Sequence, residues 1–415
     1  MIHTLYGDGI HDDLPAIQEM LDSGLSLVYL PAPKAHYLIS GAIRVHSNQE
    51  LRLDRYTRVL LAPGANDYML LNADPMMGNE NIHISGGIWD MNHNEQLPHP
   101  WNFKNPETGR TVWQEMTARG YRNWLIDEGP DGPQKIAGQD FPLDIYTGFC
   151  FFFNTIRGFY VGNMTIVNPP LYGMDLYAVE DFTVENVEFV FTEGSPKKHN
   201  MDGVHIEGYC KNGLIRNIKG ACHDDTVALT ADDFCKCGPI ENITIDGVWG
   251  EGSHSAVRLL SRVYPVRNIR ISNIYGSYYI YAITISKYSN LPERGIFENI
   301  TVDNVCVTTC EGSGDVRANY LPVVYIGDEI DIRNLTVRDF HRDERWCSVP
   351  TIGVGRGTRI GTLSLSDVTQ LRTIDEPITL IQNEGEIDRL YLYNVDLAGD
   401  PLTGGSGTVN IVSNI

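Results

Sequence analysis

Apolar and polar residues alternate with a period of two along most of this chain, the pattern of strands buried on one face. The runs "NITIDGV" (242–248) and "NIRISNI" (268–274) send Ile and Val one way and Asn, Thr, Ser, Asp and Arg the other. Helical spacing of apolar residues is nearly absent after residue 25. The alternating runs carry a short recurring unit, apolar-x-N/D/G-apolar. It is centred on Asn186, Asn217, Gly247, Asn273 and Asn304, with looser copies at Asp339, Asp367 and Asn394 and an earlier one at Asn163. Neighbouring copies lie roughly 23–35 residues apart, within the range of solenoid turns. The pattern predicts an all-β chain wound as a right-handed parallel β-helix. A sandwich would need tight hairpins and would lack the repeat. Asn suits the bends because it tolerates left-handed backbone, and stacked Asn side chains can hydrogen-bond from turn to turn.

Two segments depart from the pattern. "DDLPAIQEMLDSG" (12–24) has helical spacing, an Asp ahead of it and a Gly behind it. It predicts a helical cap, within residues 1–26, over the open end that every solenoid must cover. Residues 93–145 are polar, irregular and rich in aromatics, among them Trp101 and Trp113. They predict a loop region inserted into one β-helix domain spanning 1–415. Its rings would bind sugar, or else form the insertion's own core or a contact in a homo-oligomer.

Charge narrows the partners. The 415 residues carry a formal net charge of -21, which argues against nucleic acid and anionic membrane. No apolar run is long enough to span a bilayer. The start "MIHTLYGDGIHDD" has no secretory pattern, so the expectation is a cytoplasmic protein, or a secreted one if a leader preceded this sequence. The eight cysteines are scattered and are expected to be reduced. "CKC" at Cys235–Cys237 has poor spacing for zinc, and neither a metal nor a cofactor is expected.

The candidate chemistry lies in "NMDGVHIEG" (200–208) and "HDDTVALTADD" (223–233). Asp202 and the pair Asp224–Asp225 are separated by about one turn, and residues one turn apart stack about 4.8 Å apart. His254, one further turn on, joins them. Carboxylates crowded in this way raise the pKa of at least one member. A protonated acid then stands beside ionised bases, as glycoside hydrolysis requires. Asp232–Asp233 read as a solvated turn, with a competing acid pair as the alternative.

These residues resemble the polygalacturonase family, glycoside hydrolase family 28, within the pectin-active β-helix superfamily. "GDGIHDDLPAIQ" (7–18) and "VYLPAPKAHYLIS" (28–40) are similar to the superfamily's cap and first turn. "NMDG" (200–203) matches the family's Asn-x-Asp-Gly, beginning at Asn200, and "HDD" (223–225) its paired aspartates. His254 matches its Gly-His-Gly histidine, here between Ser253 and Ser255. The resemblance implies an inverting glycosidase acting on a poly- or oligosaccharide. Asp224 would be the general acid, Asp202 and Asp225 would activate water, and His254 would hold a carboxylate or a hydroxyl. The family reads uronate with Arg-x-Lys on the next strand, but this chain has Thr284 and Ser286 there. Lys287 comes one residue late, and Arg258, Arg262 and Arg267 are the nearby cations. His205 stands where the family is often acidic. A less cationic cleft implies a neutral or differently decorated glycan, bound with the help of His205, Arg258 and Lys287.

Other readings of the same residues remain open. One is a different β-helix carbohydrate-active enzyme, a fructan transferase or lyase-like enzyme or a polysaccharide lyase. Another is a non-catalytic glycan-binding β-helix in which the aspartates are turn and ladder residues.

Overall fold

A computed structural model describes residues 4–97, 147–192, 200–232, 237–287, 292–312 and 321–414, with scattered residues between 104 and 118. The chain is a right-handed parallel β-helix. Every pairing between named strands in the described residues is parallel, each strand lying on its counterpart one coil later. One inward row runs Val184, Ile215, Ile245, Ile271, Val302, Val337, Leu365 and Leu392, each stacked on the next. All are buried. Alternation thus becomes a continuous apolar core, which burial of area drives.

The recurring unit marks the corners. Asn163, Asn186, Asn217, Gly247, Asn273, Asn304, Asp339, Asp367 and Asn394 all have positive φ, between 49° and 90°. This is the left-handed region that Asn, Asp and Gly enter at low cost. A second series of corners bears the longest ladder. The amide of Asn212 donates to Asp181, Asn242 to Asn212, Asn268 to Asn242, Asn299 to Asn268 and Asn334 to Asn299, at 2.9–3.1 Å.

The first helix is Leu14–Asp22, with Ala16, Ile17 and Leu21 buried. Asp13 does not cap it. Its Oδ1 instead accepts the backbone N–H groups of Tyr6 (2.6 Å) and Gly7 (3.1 Å), fastening the incoming chain. Asp12 accepts from Leu14 N at 3.0 Å. Coil length varies. Val204 lies on Val227, Val227 on Val257, Val257 on Ile283 and Ile283 on Val324. The spacing between stacked residues differs from coil to coil, and the register of the strands is kept.

Candidate functional site

The strands Val204–Glu207, Asp225–Thr230, Ser255–Leu260 and Ile283–Ser286 lie side by side; Asp202, Asp224 and His254 just precede the first three, Asp225 opens the second, His205 and Arg258 lie within the first and third, and Lys287 follows the fourth. Gly173 N donates to the Asp202 carbonyl at 2.9 Å and Gly203 N to the Asp225 carbonyl at 3.0 Å. Asp225 is in register with Ser255. Asp202, Asp225 and Ser255 therefore occupy successive coils. Asp224 and His254 are each one residue earlier, and His254 Nδ1 lies 3.6 Å from Asp224 Oδ1. His254 accompanies Asp224, in the row beside that of Asp202 and Asp225.

The three carboxylates are close to fully buried, at 3 % exposure for Asp202, 6 % for Asp224 and 0 % for Asp225. Burial, then the neighbouring Asp224 and Asp225, pushes Asp202 well above the usual carboxylate range. Burial and Asp224 also push Asp225 up, against the pull of the Arg258 guanidinium. Desolvation and like charge thus act together to retain a proton in the cluster.

Hydrogen bonds orient each acid. Asp202 Oδ1 accepts from Asp225 N at 3.2 Å, and Oδ2 pairs with His205 Nδ1. The other His205 nitrogen, Nε2, lies 2.9 Å from Thr230 Oγ1. The His205 ring stacks on Tyr172 with centroids 4.1 Å apart and planes 8° from parallel. Asp225 Oδ1 accepts from Ser255 Oγ and, at 3.2 Å, from Tyr281 Oη. His254 Nδ1 lies 3.1 Å from the same Ser255 oxygen. Since the Ser255 hydroxyl has one proton and gives it to Asp225, His254 Nδ1–H is the donor there. This directs a chain of donors from His254 through Ser255 to Asp225. Tyr279 and Tyr281 stand edge-on to the His254 ring, at 5.5 and 5.9 Å.

The cations are placed unevenly. Arg258 Nη1 lies 3.6 Å from Asp225 Oδ2, within the cluster. Thr284 is beside Arg258 in register, and its hydroxyl donates to Tyr325 O at 3.0 Å. Lys287 turns elsewhere: its ammonium pairs with Glu329 and donates to Glu293 O at 2.8 Å. Arg267 pairs with Glu241. Asn200 opens the motif with φ 56°, so its local signal is conformational. Trp101 and Trp113 fall outside the described residues, as do Cys235 and Asp233. Asp232 corrects the solvated-turn expectation. It is 1 % exposed, and its Oδ2 accepts the N–H groups of Arg262, Val263 and Tyr264 at 2.6, 2.9 and 3.1 Å. Four residues outside the family motif also join the site: Thr230 and Ser255 through strand register, Tyr172 through its stacking on His205 and Tyr281 through its bond to Asp225.

Two kinds of chemistry fit these donors. Asp224, Asp225 and His254 bring one ligand atom each within 4.8 Å of one another, enough to contact a divalent cation. Asp225 Oδ1 is already committed to two hydroxyl donors, and Arg258 lies beside the same carboxylate. That surrounding positive and donor density suits a carboxylate exchanging protons better than one binding a metal.

No family model matches the chain, and no curated protein matches it in sequence. Solved structures do. The Thermotoga maritima exopolygalacturonase superposes with a TM-score of 0.59 at 18% identity, over 93% of this chain and 89% of that one. The family 28 exopolygalacturonase of Yersinia enterocolitica gives 0.57 at 15% identity, over 98% and 76%. The endo-xylogalacturonan hydrolase of Aspergillus tubingensis gives 0.53 at 14% identity, over 99% of both chains. At such identities the likeness is one of fold.

Proposed function

We propose that this protein is an inverting O-glycosidase that cleaves a poly- or oligosaccharide by acid–base catalysis. The observation that carries the reading is the buried set Asp202, Asp224 and Asp225, brought together on successive coils, where burial and like charge push Asp202 and Asp225 above the usual carboxylate range. Such groups titrate as a unit. Asp224 is the most exposed of the three and lies beside His254, so it delivers the proton to the glycosidic oxygen. With the shared proton on Asp224, Asp202, steadied by His205 and Tyr172, and Asp225, steadied by Ser255 and Tyr281, are the ionised partners that draw the proton from the attacking water. The fold neighbours support the reading, since several act on pectic polymers.

The substrate is less anionic than polygalacturonate. Thr284 is turned to a carbonyl, and among the described residues Arg258 faces Asp225, Arg262 faces Glu293, Arg267 faces Glu241 and Lys287 faces Glu329. A reducing-sugar assay over neutral, substituted and uronate glycans tests the activity, with the product anomer followed by NMR in the first minutes. Turnover with inversion, lost in Asp224→Asn, is the expected result. A retained anomer, or full turnover by Asp224→Asn, overturns the mechanism.

A further inference from the structure

A second row of outward residues runs along another part of the coil. Glu188, Lys219, Trp249, Tyr275 and Cys306 stack in register on five successive coils. A groove of about 810 Å³ opens over them, bordered on the far side by Asp343 and Arg345. A second hollow of about 720 Å³ shares Glu188, Lys219 and Trp249 and continues to Arg55. Five coils at about 4.8 Å spacing make a track of roughly 20 Å along the helix axis.

The rings in this groove occupy an unusual place. The ladder Asn163–Asn186–Asn217 should continue at the next corner, but that corner is Gly247. A Cβ there would come within 2.8 Å of Trp249. The coil gives up a ladder rung so that an indole can lie over the corner, and the indole is still only half-buried. Tyr275, also half-buried, is nearly parallel to it, with planes 19° apart and centroids at 5.9 Å. Lys219 lies 5.8 Å from the indole centroid. A register shift, one extra-residue bulge, follows at Gly250/Ser253 and separates the rings from His254. Packing alone does not call for a half-exposed ring in place of a hydrogen-bonded rung.

We propose that this groove is a second glycan-binding site, distinct from the aspartate cluster, which holds an extended saccharide chain along the helix axis. Near-parallel rings offer apolar surface to the C–H faces of sugars. Glu188, Lys219, Asp343 and Arg345 surround them with donors and acceptors of both signs, which suits hydroxyl groups and does not select for a polyanion. A protein partner would favour a core depleted of charge. The length and openness of the track fit a chain of several sugar units better than a compact ligand. Ala221 and Glu251 line the groove three residues before Asp224 and His254, so the same turns border both sites.

The site does not depend on hydrolysis, and its test is a binding measurement. The Asp224→Asn protein is run by affinity electrophoresis in gels containing polygalacturonate, xylan, galactan or a β-glucan. At least one glycan is expected to retard it, and adding Trp249→Ala should weaken that retardation by about tenfold or more, as loss of a central aromatic does. Tyr275→Ala and Lys219→Ala serve as the readout should Trp249→Ala fail to fold. The proposal is overturned if no glycan retards the parent, or if folded ring variants are retarded as strongly as the parent. It is also overturned if Trp249→Ala changes the sedimentation coefficient and not the retardation, since the groove would then hold a second copy of the chain. Loss of the catalytic reading would show only in turnover, leaving these mobilities unchanged.

Discussion

The same stacking produces opposite electrostatic results at two places in this molecule. Along the corners, Asn212, Asn242, Asn268, Asn299 and Asn334 pass one amide hydrogen bond from coil to coil at 2.9–3.1 Å. Each amide has both a donor and an acceptor, so a column of identical residues satisfies itself. At the strand starts, Asp202 and Asp225 also occupy successive coils, but an ionised carboxylate only accepts. Their column is stabilised by other residue types, with His205, Ser255, Tyr281 and Arg258 supplying the donors. Repetition that relieves itself is structural. Repetition that must be relieved by neighbours, at the cost of burying charge, marks a place where the fold carries strain for another purpose.

The largest expected contrast comes from exchanging one for the other. Asp224→Asn supplies an amide of nearly the same shape, so the melting curve should stay in place. Proton delivery is lost, and kcat should fall by about 10²–10⁴. A fall in melting temperature with little change in kcat would put the aspartates in the same structural class as the ladder. Chelation separates the two chemistries of the cluster. EDTA should leave turnover unchanged, and abolition restored by one divalent cation would make Asp224, Asp225 and His254 a metal centre.

The converse change belongs to the ladder. Asn242→Ala removes the acceptor of Asn268 and the donor to Asn212, and it leaves Ala at φ 58°. Left-handed backbone costs a residue with a Cβ about 1–2 kcal/mol, and the lost hydrogen bonds add about 1 kcal/mol. Urea unfolding should register about 2–3 kcal/mol, with kcat unaltered. Loss of activity in a folded Asn242→Ala protein would break the division between the two regions.

The repeat and the corner residues could be read directly from the chain because both are local. Strand alternation has a period of two, and each corner residue announces its left-handed backbone by its type. The partners of the aspartates were less accessible for a physical reason. Ser255 reaches the site through a coil register, and Tyr172 and Tyr281 reach it from segments between strands, all set by coil lengths that differ from one coil to the next. A loop one residue longer would place another side chain beside Asp225. Lys287 illustrates the same limit. Its sequence position is near that of a substrate cation, yet Glu329, on a later coil, takes up its charge. The second Asn ladder lies in runs such as "ENITIDGV" and was masked by the more regular unit that follows it.

A smaller contrast concerns which glycan the cleft accepts. A hydrogen bond to a charged group is worth about 1.5–3 kcal/mol, against about 1 kcal/mol for a neutral one. With Thr284 and Ser286 in place of two cations, a neutral or substituted glycan should surpass polygalacturonate by at least about tenfold in kcat/KM. Selective turnover of polygalacturonate would show that Arg258 leaves Asp225 to meet the substrate.

The last contrast is in the shape of a stability curve. The folded pKa of Asp202 is raised, chiefly by burial and then by Asp224 and Asp225. An unfolded Asp titrates near about 3.9. Between those two values the folded chain binds more protons than the unfolded one, so stability declines as pH rises. The contribution is fully present below about pH 4 and is lost as pH rises through the raised folded value. Asn at this position does not titrate. The Asp202→Asn protein should therefore gain on the wild type as pH is raised from 4 to 8, by about 1.4 kcal/mol for each unit of elevation. Carboxylates held low by cations, such as Asp303 beside Arg338, slope the other way but are common to both proteins and cancel in the difference. Melting temperatures of the two proteins across that range decide the matter. A difference that is flat, or that favours the wild type increasingly at high pH, would mean that Asp202 is ionised at low pH in the folded chain. The cluster would then hold its proton elsewhere, and the contrast with the self-satisfied amide ladder would rest on Asp224 and Asp225 alone.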